Sequence, residues 1–166
     1  MSYEINFASE TSAVAVRDAV VARYGVDPGL IYVGPLDELG AYPGPDPLAM
    51  VTWEADPANQ FDCVLGSGAE LERASGGQSE LDMAVDLCRE LGTRALVDDG
   101  GFDSECWFLV TADGWRGRVI VDEDALDDGN LVIAYAFQPV PSEPELPVRE
   151  PPYWQVGWYR DGVIPE

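Results

Sequence analysis

Histidine and lysine are both missing from these 166 residues. Without histidine there is no Ser-His-Asp or Cys-His catalysis, and the commonest general base and zinc ligand are gone. Without lysine there is no Schiff base and no phosphate-loop lysine. Cysteine is sparse: Cys63, Cys88 and Cys106 are too dispersed for a metal knuckle and odd in number, so no disulfide framework is expected. Long apolar runs are missing too; nothing approaches the ~20 residues that span a bilayer. The start, Met1 to Phe7, lacks the basic and apolar regions of a secretory leader.

What is present is acid. Thirty-one Asp and Glu stand against nine bases, all arginine, for a formal net charge of -22. Yet 46% of residues are hydrophobic and 10% aromatic, so the chain is composed to fold. Charge of this sign opposes direct binding to nucleic acid, where basic side chains must displace counterions, and to anionic membranes. It attracts a basic protein, and it also serves solubility. The lysine-free, Ala-, Gly-, Val-, Asp- and Pro-rich composition resembles that of proteins from high-GC bacteria. Three cysteines in apolar-patterned segments read as buried free thiols of a reducing cytoplasm.

The pattern along the chain predicts an α+β fold, two helices packed on a mostly antiparallel sheet of about seven or eight strands. Tyr3–Phe7 alternates like a strand. Ser9 or Thr11 is expected to cap a helix that runs to Tyr24 and stops at Gly25. The second helix, from Ser79 to Leu91 with Gly92 as its stop, presents Leu81, Ala84, Val85, Cys88 and Leu91 on one face. Short strands are expected at 30–33, 48–53, 61–65 and 94–97, with loops at 42–47 and 66–77. A hairpin, 106–110 and 115–121, turns at Ala112-Asp113-Gly114 and precedes a last strand at 131–137. This gives one domain over 1–138, a Pro- and Glu-rich linker over 139–152, and an aromatic segment over 153–166 that packs back on the domain.

Two acidic clusters are the candidate site. Asp98, Asp99, Asp103 and Glu105 surround Gly100-Gly101; Asp122, Glu123, Asp124, Asp127 and Asp128 follow the hairpin. As oxygen donors they suit a divalent cation, but neither has the glycine and glutamate spacing of an EF-hand loop. No metal or other cofactor is therefore expected. A carboxylate pair is also the apparatus of glycoside hydrolysis, though acids here are too abundant for a pair to be diagnostic. As solvated loops they would deter sheet edges from pairing. As a binding surface they would steer a basic partner, with Trp115 at the hairpin mouth as an aromatic anchor. Trp107 and Phe108 point to opposite faces of one strand, one core and one exposed.

Small, acidic, histidine-free and without a catalytic signature, the chain is similar in composition and size to bacterial immunity proteins. That resemblance implies a cytoplasmic, non-enzymatic inhibitor of a basic toxin, often a nuclease. Two other classes fit the same charge: a nucleic-acid mimic that occupies a DNA-binding protein, and a carboxylate-based metal-binding or hydrolytic domain.

Overall fold

The computed structural model describes residues 3–151. The chain opens with β1 (Tyr3–Phe7) and α1 (Ala13–Tyr24). Ser12, not Ser9 or Thr11, caps α1 by accepting from the Ala15 N–H. The other two hydroxyls are engaged elsewhere: Ser9 Oγ donates to the Asn59 carbonyl and accepts from Asp62 N, and Thr11 Oγ1 bonds Thr93 Oγ1. Gly25 ends the helix at φ 67°, a left-handed conformation that costs glycine little.

β2 (Ile31–Pro35), β3 (Ala49–Trp53) and β4 (Cys63–Ser67) follow, then α2 (Ala69–Ala74), where a loop was expected. Six residues give too little periodicity to reveal a helix, and Leu71 alone among them is buried. α3 (Glu80–Leu91) has the expected caps, Ser79 and left-handed Gly92. Its buried side chains are Leu81, Met83, Ala84, Leu87 and Cys88, so the inner face is rotated from the expected one and leaves Val85 and Leu91 only partly covered. β5 (Ala95–Asp98), β6 (Cys106–Val110) and β7 (Arg116–Val121) lead to α4 (Glu123–Asp127) and β8 (Ile133–Ala136).

The eight strands form one sheet in the order β2-β3-β4-β1-β5-β6-β7-β8. Only β2 and β3 run parallel; the other neighbours are antiparallel, as the α+β reading requires. On one face, α1 and α3 cover Ile5, Phe7, Val51, Leu65, Val97 and Phe108. Burying each such large side chain contributes roughly 1.5–3 kcal/mol.

Among the described residues, the opposite face is covered over β5 to β8. There Phe61, Leu131, Val140 and Leu146 fold over Leu96, Trp107, Leu109 and Val119. Trp107 and Phe108 do face opposite ways, but both are buried, because each face of β6 has its own core. Over β2, β3, β4 and β1 no described residue builds a second core on this face.

Residues 139–151, expected as a linker, lie along β8. Ala136 N donates to the Pro147 carbonyl, and Arg149 N donates to the Ala136 carbonyl. Val140 is buried and Glu143 pairs with Arg94. Prolines are compatible with such an edge, where not every residue must donate to a ladder. The aromatic segment 153–166 lies outside the described residues. No helix among the described residues is long and apolar enough to cross a membrane.

Candidate partner-binding surface

The β6–β7 hairpin brings the two acidic clusters together. One cluster enters β6 and the other leaves β7, so antiparallel pairing of Cys106 with Ile120 places both at the same end of the sheet. Val121 N donates to the Glu105 carbonyl at 2.9 Å and fixes that junction. Burial pushes the Glu105 carboxyl above its ordinary range, and Asp103, Glu123, Asp127 and Asp122 push it further in the same direction.

Local hydrogen bonds shape both loops. Asp98, Asp99 and Asp103 accept from the backbone N–H two residues on, at 2.8, 2.9 and 2.9 Å. Aspartate side chains favour such turns because they reach the backbone N–H two residues on. Asp122 caps α4 by accepting from Ala125 N at 2.9 Å. Glu123 and Asp124 then sit in the first turn of α4, where the peptide dipoles favour negative charge. All five acids from Asp122 to Asp128 are exposed, and among the described residues none pairs with an arginine.

Three expected members stand apart. Asp99 turns inward and pairs with Arg118, so it offers no surface charge. Asp98 is exposed but lies toward Glu80, whose carboxyl is raised by burial first and then by Glu4 and Asp98, with the Glu4 N–H opposing. Trp115 is at the far end of the hairpin, about six residue steps or ~20 Å from Glu105. Its ring packs over Gly117 and against the core of the second face. Asp124 and Asp128 remain on the exposed side and at the end of α4.

The structure adds an aromatic residue that composition did not single out. Phe102, between Gly101 and Asp103 in the first acidic loop, is fully exposed. The adjacent glycines and acids, which build no core, were its only signal in the sequence.

The uncovered half of the sheet forms a groove of about 450 Å³. Its floor is made of the outward residues of three strands: Glu4 and Asn6 from β1, Met50 and Thr52 from β3, Val64 and Gly66 from β4. One wall is Phe61, Trp107, Leu126 and Leu131; the other includes Leu36, Trp53 and Glu54. Leu126 belongs to α4, so the groove and the acidic end share that helix. Asp62 also lines it, its carboxylate accepting from Glu54 N at 3.1 Å and Ala55 N at 2.7 Å.

The thiols are placed for packing. All three are buried and none is in a disulfide, and burial pushes Cys63 and Cys88 up to about 12. A thiol held protonated is a poor nucleophile. Among the described residues no three His, Cys, Asp or Glu side chains converge to hold a metal ion.

The chain matches no protein-family model, no curated protein and no solved structure.

Proposed function

We propose that this chain is a non-catalytic inhibitor of the immunity type, which neutralises a toxin by docking its acidic sheet end on a basic active-site surface. The observation that carries this reading is the β6–β7 register, which sets the two acidic loops at one end of the sheet, joined where Val121 N donates to the Glu105 carbonyl. Crowded acids repel one another, and a cationic surface relieves that repulsion on contact. The loops are held by short local bonds, so little ordering is left for binding to impose. Phe102 adds an exposed aromatic side chain beside the charge, the residue type that commonly anchors an interface. In this reading the protein works in the cytoplasm that keeps its thiols reduced.

The experiment is a growth assay in which the product of the adjacent gene is expressed with and without this protein. The expected result is toxicity alone and rescue together. Rescue should fail with the triple variant Asp122→Asn, Glu123→Gln, Asp127→Asn. An adjacent product that is harmless, or rescue undiminished by the triple variant, would overturn the proposal.

A further inference from the structure

We propose that the aromatic segment 153–159 seats on a small apolar patch of β6, β7 and β8, on the helix face of the sheet and beside its acidic end. The inference stands apart from the toxin reading and assigns a docking site to this chain's own C-terminal residues.

The patch is a third buried cluster, made of Cys106, Ile120 and Phe137 with Tyr135 packed against it. Cys106 pairs with Ile120, and Ile120 pairs with Tyr135, so these three form one row across the strands. Phe108 is two residues from Cys106 and shares its face, the one that carries α1 and α3. Among the described residues, however, the helices belong to the first cluster, which reaches β6 at Phe108 and Val110, and not to this one. Cys106 is nevertheless 1% exposed, and Ile120 and Phe137 are 6% exposed. Apolar side chains buried beyond the reach of both helices call for a cover that brings apolar side chains of its own.

The path of the chain identifies the cover. Residues 147–149 lie along the outer edge of β8, where Val148 bridges Ala136 in parallel. Arg149 reaches over the patch, its guanidinium 5.2 Å from the Tyr135 ring centre. Pro151 follows two residues later, at most ~7 Å further on. In an extended segment Trp154, Val156 and Trp158 share one side, so two indoles and a valine face the same way. Seven residues span up to ~25 Å, enough to cross three strands spaced ~4.8 Å apart. The groove on the opposite face is out of reach for the first indole. Its floor begins at β1, five strand spacings or ~24 Å from Val148, whereas six residues carry Trp154 at most ~22 Å. The patch also adjoins the acidic end: burial raises the Tyr135 phenol, Arg149 opposes, and Glu105 and Asp103 add to the rise. Seated there, the segment flanks the acidic surface with aromatic side chains.

The test is NMR on the whole protein with labelled Ile, Val and Met methyl groups. The expected result is nuclear Overhauser contacts from the Ile120 methyls to the Trp154 and Trp158 indoles within one molecule. Indole contacts to the Met50 or Val64 methyls instead would put the segment in the groove and overturn the proposal. Contacts seen only between labelled and unlabelled copies would give the patch to a second molecule, and indoles without contact to the domain would leave it to neither; both overturn it. Cys106 supplies an independent readout, because Cys63 and Cys88 lie in the first cluster. In Trp154→Ser/Trp158→Ser the Cys106 thiol should react with dithionitrobenzoate about tenfold faster, while Cys63 and Cys88 keep their parental rates. An unchanged Cys106 rate would overturn the proposal. Equal acceleration of all three thiols would mean that the variant has lost the fold, and the contacts in the parent protein then decide alone.

Discussion

Asp99 Oδ2 lies 3.5 Å from Arg118 Nε, with only 1% and 5% of the two side chains exposed, and the guanidinium sits 4.9 Å from the Phe108 ring centre. The pair takes one carboxylate out of the first acidic loop and ties that loop to β7. Removing one partner leaves a buried charge uncompensated, which costs about 3–5 kcal/mol, whereas replacing both with apolar groups is often neutral. Asp99→Asn should therefore destabilise by about 3 kcal/mol in urea denaturation, and Asp99→Leu/Arg118→Met should recover most of it. A loss below about 0.5 kcal/mol in the single variant, the level of an exposed pair, would contradict burial of the pair.

Glu105 predicts a change of opposite sign. Its carboxyl is raised in the folded state by burial and by four neighbouring acids, so folding favours the protonated form. The stability this contributes is present below the ordinary glutamate value of 4.5 and is lost as pH rises through the higher folded value. Glu105→Gln should consequently melt higher than the parent at neutral pH. The advantage should shrink with added salt and disappear as pH falls below 4.5. Thermal melts across that range measure it directly.

Ala55 is the one non-glycine residue with positive φ among those described, at 61°. The buried Asp62 carboxylate holds it there through the Glu54 and Ala55 N–H groups. A left-handed L-residue costs about 1–2 kcal/mol, less what glycine loses in chain entropy. Ala55→Gly should therefore stabilise by about 0.5–1 kcal/mol. Asp62→Ala, which strands both donors, should cost about 2–3 kcal/mol. Denaturant midpoints compare the two.

Tyr24 links α1 to the loop before α3, its hydroxyl donating to Gln78 Oε1 at 2.9 Å. Burial is the main cause that pushes this phenol from 10.0 up to about 12. A raised folded value means that stability is intact below 10.0 and is lost as pH climbs toward about 12. Tyr24→Phe should be less stable at neutral pH but should lose less on going to alkaline pH. Urea titrations of both proteins at neutral and alkaline pH give the comparison.

Local chemistry made the larger elements legible before any coordinates. Ser79 and Gly92 bracket α3, Gly25 stops α1, and the Asp113-Gly114 turn marks the hairpin, because caps and turns act within a few residues. The meeting of the two acidic clusters also follows from the hairpin, whose antiparallel strands must start and end together. What stayed hidden depends on partners distant in sequence. Asp99 looks like its neighbours until Arg118 is placed beside it. Asn6 and Thr52 occupy the outward positions of alternating strands, which read as solvent-facing; only the walls raised by Phe61 and Leu131 make that face a groove. α2 and α4 are shorter than two helical turns, too short for a period to emerge.

The central claim is that the acidic end binds a basic partner, and calorimetric titration with the adjacent gene's product at low and high salt tests it most directly. The account predicts tight binding at low salt, weakened by added salt and by the variant Asp122→Asn, Glu123→Gln, Asp127→Asn. Absence of binding, or binding that neither salt nor the triple variant weakens, would contradict it.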